Sequence, residues 1–273
     1  MPFPWALRGL RDGVVTTTWP KRPDSYQTEF PGGVDLTALG RSVPDDRDAT
    51  ALAGVCPTGA LDASEDGLRL DRGRCILCGR CVAAAPDLLA WRPGADTAQL
   101  SRDRLVIPEQ VEDDASLTEV REQLARRVRR LQRSIHIRHV DAGSDGSDEW
   151  EVQALLNPIY DIHRLGIFIT ASPRHADILL ITGISTPGMS APLLRTRAAM
   201  PDPVVTIAAG TDAISGGLFA HGYSSGGGVG SLLNVDVWVP GSPASPFSLL
   251  HGILLALGRV PADGTSRSRR SRR

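Results

Sequence analysis

The residues most able to do chemistry are four cysteines, Cys56, Cys75, Cys78 and Cys81, the only ones in the chain. The last three are spaced C-x2-C-x2-C in the stretch RCILCGRCVAAAP (74–86). The chain begins without the long apolar run of a secretory signal, so a disulfide framework is not expected. Four thiols so close together therefore predict a metal or cluster site.

The spacing also predicts which thiols belong together. Bacterial ferredoxins repeat C-x2-C-x2-C-x3-C-P twice, and the fourth cysteine of each run binds the cluster of the other run. Ala85 occupies the fourth position of the second run, and Cys56, in CPTGAL, matches the fourth position of a first run. The complete ligand set is Cys56, Cys75, Cys78 and Cys81, and the other set has lost all its cysteines, at Asp46, Ala49, Leu52 and Ala85. We predict one [4Fe–4S] cluster on the surviving set.

A structural zinc site with four cysteines is the alternative. Zinc sites usually pair two separate C-x2-C units, whereas Cys78 is shared here between two overlapping units. Gly79 and Pro57 also match loops that direct backbone N–H groups at the sulfurs of a cluster. These features favour iron and sulfide over zinc.

Composition limits the remaining possibilities. A chain of 273 residues is long enough for two domains, and its 41% hydrophobic and 22% charged residues are ordinary for a globular protein. The formal net charge of −1 gives no reason to expect a nucleic-acid partner. No apolar run approaches the roughly 20 residues that span a bilayer. We expect a cytoplasmic chain without a membrane span of its own.

The sequence divides into five predicted segments. They are an extended N-terminal arm (1–30), a cysteine-containing domain (31–110), a linker helix (111–134), an α/β domain (135–260) and a disordered arginine-rich tail (261–273). In the fourth segment the apolar runs 176–183, 203–210 and 235–241 predict buried parallel strands. Residues 190–200 predict a crossover helix, and another helix follows the third strand. The predicted fold class is α/β plus α+β, with a doubly wound, flavodoxin-like C-terminal domain.

Residues 135–257 resemble the small electron-transfer subunit shared by respiratory complex I and membrane-bound [NiFe] hydrogenases of the formate-hydrogenlyase type. The matching stretches are HIRHVDAGS (136–144), EVQALLNPIYDIHRLGI (151–167), ASPRHADILLITG (171–183), AISGG (213–217) and VDVWVPGSP (235–243). The stretch GVVTTTWPKRP and the cysteine region resemble the ferredoxin-like subunit of the same complexes. The chain thus resembles a fusion of the two subunits, and the resemblance implies a ferredoxin-like N-terminal domain.

The resemblance also implies a second [4Fe–4S] cluster in the α/β domain, but its ligands are absent. The four cysteine positions of that family correspond to Asp145, Asp148, Asp212 and Ser242. Carboxylate and hydroxyl oxygens are poor substitutes for thiolate at an iron–sulfur cluster, so we predict no cluster there. These oxygens could instead hold Mg²⁺ or Ca²⁺. The simpler expectation is a polar, hydrated pocket whose aspartates cap helices or loops.

Other signals predict no chemistry. The glycine-rich stretch 224–230 lacks a Walker lysine and a strand–loop–helix setting, so it does not predict a phosphate site. Ser172 and His175 lack the third group of a catalytic triad. Arg174 and His175 are expected to make structural or subunit contacts, and His136 and His139 are expected to have structural roles. His163 is predicted to be packed in an amphipathic helix.

The resulting hypothesis is an electron-transfer subunit of a membrane-associated complex, with no turnover expected from this chain alone. Its implied partners are a large hydrogenase- or complex I-type subunit and membrane-arm subunits, on the cytoplasmic face of the membrane. In the family, electrons leave the ferredoxin-like subunit for the cluster that is missing here, so a redox-silent scaffold subunit is the alternative. A free-standing reductase of flavodoxin-like fold is a third class, but no flavin-binding loop is evident, and fold analogy alone does not support it.

Overall fold

The structure is a computed structural model that describes residues 4–22, 24–40, 48–64, 67–108 and 134–260, with four isolated residues between them. Those four, Glu119, Glu122, Gln123 and Arg126, are helical. The rest of the predicted linker helix, the arginine-rich tail and Asp46 lie outside the described residues.

The described segments contain eight α-helices and ten strands outside the linker region. The helices are α1 (Pro4–Asp12), α2 (Ser25–Thr28), α3 (Ala49–Ala53), α4 (Arg80–Ala84), α5 (Ser147–Ala154), α6 (Pro187–Ala198), α7 (Thr211–Ser215) and α8 (Pro246–Ala256). The strands are β1 (Pro31–Leu36), β2 (Leu61–Ser64), β3 (Gly67–Asp71), β4 (Leu89–Pro93), β5 (Val106–Ile107), β6 (Ile135–Asp141), β7 (Ile167–Ile169), β8 (Ile178–Thr182), β9 (Val205–Ala209) and β10 (Val237–Val239).

The C-terminal half is built on a parallel sheet of five strands in the order β10-β9-β8-β6-β7. Every residue of β8, β9 and β10 is buried, because both faces of a sheet joined by crossover helices are covered. One face packs against α5 and α8, and α6 supplies Leu193 to the core on the other face. The prediction of buried parallel strands with a crossover helix is confirmed.

The cysteine-containing half has two small sheets and its own core. Strands β2, β3 and β5 form an antiparallel sheet, and β1 pairs with β4 in a second one. Leu61, Leu68, Leu70 and Leu89 fill the core between these sheets, and Cys81 belongs to the same buried cluster. The cysteines are therefore attached to a packed framework.

The two halves share buried surface. Gln99 pairs with Trp238 of β10 through two backbone hydrogen bonds of 2.9 and 2.8 Å. Ala98 and Trp19 belong to the same core as Phe247 of α8, and the Trp19 and Phe247 rings meet edge to face at 6.2 Å. The N-terminal half is thus held directly against one edge and one face of the α/β half.

Two local expectations are wrong. Residues 4–12 of the expected extended arm form helix α1, in which a proline opens a segment of alanine, leucine and arginine that favours a helix. His163 lies in a short 3₁₀ turn (Ile162–Leu165) and not in an amphipathic α-helix. Within the described ranges, no helix has both the length and the apolar character needed to cross a bilayer.

Candidate metal centre

The four cysteines line one cavity. Its walls include Cys56, Cys75, Cys78 and Cys81. All four thiols are free, and Cys78 is exposed while Cys81 is buried. In the described part of the chain, no three Cys, His, Asp or Glu side chains lie close enough to hold a single metal ion. The arrangement is an open ring of thiols around a shared space.

The loop between Cys75 and Cys81 turns through two residues with positive φ. Leu77 has a φ of 55° and Gly79 a φ of 73°, and α4 begins directly afterwards and carries Cys81. A Cβ at Gly79 would lie only 2.8 Å from Cζ2 of Trp91, whose ring packs on the loop. Glycine is therefore required at this position, both for its backbone conformation and for the approach of the indole.

A backbone donor points at Cys56, and a nearby hydroxyl, that of Thr58, donates to the Arg74 carbonyl at 2.7 Å. The Ala60 N–H donates to Cys56 Sγ at 3.2 Å, and the Thr58 hydroxyl lies 3.6 Å from the same sulfur. Burial alone raises the pKa of Cys56, but hydrogen bonds from Thr58, Leu61 and Ala60 outweigh it, so the net pKa is lowered. Donors in this arrangement stabilise a thiolate, which is the form that binds a metal or cluster.

The cysteine thiolates also interact electrostatically with one another. Burial raises the pKa of Cys75 to about 11; the Leu77 N–H opposes this, and the charges of Cys81, Cys56 and Cys78 add to it. Burial also raises the pKa of Cys81, with the Val82 N–H opposing and Cys56 and Cys78 adding to the rise. Such repulsion is relieved when cationic iron or zinc binds the thiolates. The donor set therefore fits a cluster held by four thiolates.

The positions of the second predicted ligand set, which carry no cysteine, have ordinary packing roles. Ala49 and Leu52 lie on α3 and pack against the core of the cysteine-containing half. Ala85, at the end of α4, is only 2% exposed. Together with Asp46, outside the described residues, these positions supply no thiol.

Three of the four substituted positions in the α/β half come together at the carboxyl ends of the parallel strands. Asp145 and Asp148 follow β6, Asp212 follows β9, and the charges of Asp145 and Asp212 both act on Asp148. Ser242 follows β10, in a turn tied to the same place: the Gly241 carbonyl accepts from the Thr211 N–H at 2.6 Å. Ligand sites of open α/β sheets lie at this edge.

The aspartates have different environments. Asp145 is exposed and accepts the Ser147 hydroxyl and N–H at 2.6 and 2.9 Å, and these two bonds lower its pKa. Asp148 is 3% exposed and accepts the Ala244 N–H at 2.9 Å. Burial raises the pKa of Asp148 to about 7; the Ala244 N–H opposes the rise, and Asp212, Glu149 and Asp145 add to it. Burial likewise raises the pKa of Asp212 to about 6, with Asp145 and Glu149 contributing.

A polar network that the sequence did not reveal borders this acidic pocket. The Thr182 hydroxyl donates to Glu149 Oε1 and lies 3.0 Å from His139 Nε2. The Ser144 hydroxyl donates to the other oxygen of Glu149 at 2.5 Å. Burial lowers the pKa of His139, although Glu149 and Asp141 oppose that shift. His139 thus has the structural role expected of it, but only the fold brings Glu149 and Thr182 to it.

The cysteine cavity and the acidic pocket adjoin each other through α7. The Thr211 hydroxyl donates to the Cys75 carbonyl at 3.0 Å, and the Ser215 hydroxyl donates to the Gly73 carbonyl at 2.9 Å. Ser242 lines an open cleft that also contacts Ile76 and Leu77, between two of the cysteines. The two halves therefore meet next to the cysteine loop and next to Asp212 and Ser242, which the sequence identified as candidate positions.

Comparison with known proteins identifies the α/β half. Residues 146–256 match the family described as "NADH ubiquinone oxidoreductase, 20 Kd subunit". Formate hydrogenlyase subunit 7 of Escherichia coli (strain K12) is 39% identical over 157 residues, which are 58% of this chain. The probable membrane-bound hydrogenase subunit mbhJ of Pyrococcus furiosus is 36% identical over 51% of this chain and 86% of its own length. The chain belongs to the NADH ubiquinone oxidoreductase 20 kDa subunit family.

Two further facts describe the extent of the likeness. The chain spans 60% of the length of formate hydrogenlyase subunit 7. A chain of the membrane-bound sulfane sulfur reductase, an archaeal respiratory membrane complex, is 29% identical, with a TM-score of 0.43 over 48% of this chain and 72% of that chain. The family match covers Asp148, Asp212 and Ser242 but begins after the four cysteines.

Proposed function

We propose that this protein is an electron-transfer subunit of a membrane-associated oxidoreductase complex related to complex I and formate hydrogenlyase. A ferredoxin-like unit (31–110) would be fused to a small-subunit-like α/β domain (135–260). Cys56, Cys75, Cys78 and Cys81 would hold one [4Fe–4S] cluster, and the α/β half would hold none. The cluster, when bound, supplies one-electron transfer, and the chain supplies its position and its surroundings.

The observation that carries this proposal is the shared cavity of the four thiols. Cys56 is contributed by the segment after α3, at least 19 residues before the other three, yet it lines the same space. Free thiols with N–H donors directed at their sulfurs suit an iron–sulfur cluster, whose potential depends on such hydrogen bonds. A disulfide framework or an unrelated packing role would not require this convergence.

The acidic pocket supports the second part of the proposal. Asp148 is buried, hydrogen-bonded to Ala244 and packed against Gly210, so its carboxyl already fills space beside α7. Asp145 is engaged with Ser147 at the start of α5. Oxygen ligands in these arrangements suit a structural role and not a sulfur-rich cluster.

Complex partners are supported by large apolar side chains that are exposed on the α/β half. Trp150, on the same helix as Asp148, is 71% exposed. Leu218, Phe219 and Tyr223, which follow α7, are 58%, 51% and 102% exposed. Large apolar side chains exposed together mark contact surfaces. We propose that this face meets a large hydrogenase- or complex I-type subunit, and that membrane-arm subunits hold the assembly at the cytoplasmic face.

The predicted absence of a second cluster favours one alternative function, a redox-silent scaffold. Electron tunnelling slows steeply with distance, so a carrier that has lost its neighbouring relay needs another acceptor close by. We propose the cleft beside Ile76, Leu77 and Ser242 as the place where such an acceptor would approach. If none does, the chain would serve assembly alone.

Anaerobic purification of the native complex tests the cluster. We expect about four iron and four sulfide per chain and one EPR signal after reduction. Zero iron with stoichiometric zinc would refute the proposal. Cys78→Ala should abolish electron flow through the assembled complex, and Arg195→Met, an exposed change on α6, should not. If Cys78→Ala prevents assembly and the unaltered complex has no redox signal from this chain, the scaffold function is correct.

A further inference from the structure

Arg138, on β6, carries a positive charge for which the described residues provide no counterpart. The residue is half-buried, and its Nε is fully buried without a hydrogen-bond partner. None of the described residues accepts a hydrogen bond from its guanidinium or forms an ion pair with it. Buried polar groups are almost always satisfied, so the unpaired Nε of this half-exposed guanidinium is suited to an acceptor that another molecule brings.

The carboxylates of Asp177 and Asp141 accept hydrogen bonds from groups other than Arg138. Asp177, at the start of β8, accepts the His136 N–H at 2.8 Å and lies 3.7 Å from His136 Nδ1. Asp141, at the end of β6, accepts the Gly143 N–H at 2.7 Å. The exposed residues Arg174 and His175, in the loop that joins β7 to β8, add no negative charge. The charges around Arg138 therefore favour binding of an acidic group from another molecule.

The neighbouring strand is the open edge of the sheet. β7 is the last strand, and it pairs with β6 through alternate residues: Gly166 accepts from Ile135, and Thr170 donates to Ile137. This pattern directs the backbone groups of Ile167 and Ile169 away from the sheet. An edge strand with free N–H and C=O groups is a template for another chain.

The same edge exposes apolar side chains, one of which is held in place by neighbouring rings. Phe168 and Ile169 are 36% and 37% exposed. The Phe168 ring is stacked between His136 and His163, with centroids 5.7 and 5.2 Å away. Phe168 pairs with His136, two residues before Arg138, so the ordered ring and the arginine lie on the same face of the sheet, and both residue types are enriched at protein interfaces.

We propose that Arg138 and Phe168 on one face of the sheet, with Ile169 at the same edge on the other face, bind a partner subunit that brings a carboxylate to the guanidinium; we call this edge the Arg138 surface. An extended segment of that partner would lie along β7 and cover Phe168. The inference rests on the proposed place of this chain in a multisubunit complex. It defines a second contact, on the sheet edge, separate from the face that carries Trp150.

Photo-crosslinking in the purified native complex locates the partner. A benzoylphenylalanine introduced at Ile169 should crosslink to an acidic segment of another subunit, whereas the same probe at Leu39, 44% exposed on the cysteine-containing half, should not give that product. A crosslink to a second copy of this chain, to another part of the same chain, or to nothing would overturn the inference. A chain that purifies without any partner would overturn the proposed function as well.

Substitution of the arginine separates a binding role from a folding role. Arg138→Met should leave the melting temperature of the isolated chain unchanged or raise it, because an unpaired half-buried charge is removed. The same change should weaken the complex about 30-fold or more, while Arg195→Met leaves it intact. Replacing the crosslinked partner carboxylate with arginine should rescue Arg138→Glu. Unchanged affinity in Arg138→Met, or a large loss of folding stability, would refute the proposal.

Discussion

Asp148→Asn should make the protein more stable in alkaline solution and leave it nearly unchanged in acid. The pKa of Asp148 is raised from 3.8 to about 7, so the folded protein holds its proton far more tightly than the unfolded chain. Its stabilising contribution is complete below pH 3.8 and is lost as the pH rises through 7. At about 1.4 kcal/mol per pKa unit, ionisation in the folded state costs about 4 kcal/mol by pH 8.

Asparagine removes that cost while keeping the local contact. Its side-chain oxygen can accept the Ala244 N–H in place of the Asp148 Oδ1, which does so at 2.9 Å. The free energy of unfolding by urea, measured at pH 4.5 and pH 8, should therefore differ between variant and parent by a few kcal/mol more at pH 8. Asp62→Asn, an exposed change on β2, is the matched control, with little difference between the two pH values expected.

Two results would refute this reasoning. A difference between variant and parent that is the same at both pH values would mean that Asp148 is ionised in the folded protein throughout. A variant that is less stable than the parent at pH 8 would mean that a cation, or a donor not seen here, compensates the carboxylate.

Three further changes test other parts of the structure. Phe247→Ala should lower the free energy of unfolding by about 3–5 kcal/mol, because a side chain 1% exposed leaves a cavity between the two halves; urea titration measures this. Thr58→Val removes the hydroxyl that donates to the Arg74 carbonyl at 2.7 Å and should lower the free energy of unfolding by about 1 kcal/mol; urea titration measures this, and an unchanged value would contradict it. Arg102→Met should cost about 1–3 kcal/mol, because Asp71 loses two hydrogen bonds of 2.8 and 2.6 Å; thermal unfolding checks it, and an unchanged midpoint would contradict it.

The sequence was most informative where each residue reports on its own surroundings. The runs around β8, β9 and β10 are apolar without interruption, because both faces of those strands are covered, and this pattern is visible without a structure. The thiol chemistry of cysteine depends on the residue type alone, so the spacing of Cys75, Cys78 and Cys81 already limited the kinds of site that they could form. The same spacing argument selected Cys56, which the fold places at the same cavity.

The structure was needed wherever a role depends on a distant neighbour. Arg138 and Glu149 look like ordinary surface charges in the sequence, and only the sheet order leaves one unpaired and ties the other to Thr182 and His139. Helix α1 was missed because proline and threonine nearby suggested an extended chain.

The sequence by itself determined the family, the parallel strands and the inventory of sulfur and oxygen at the former ligand positions, because these depend only on residue types in order. Tertiary structure decided that the cysteine loop rests on α7 through Thr211 and that Asp148 is buried among other acids. Burial and pairing are properties of the whole packed chain, since each depends on atoms that residues far apart in sequence bring to one place.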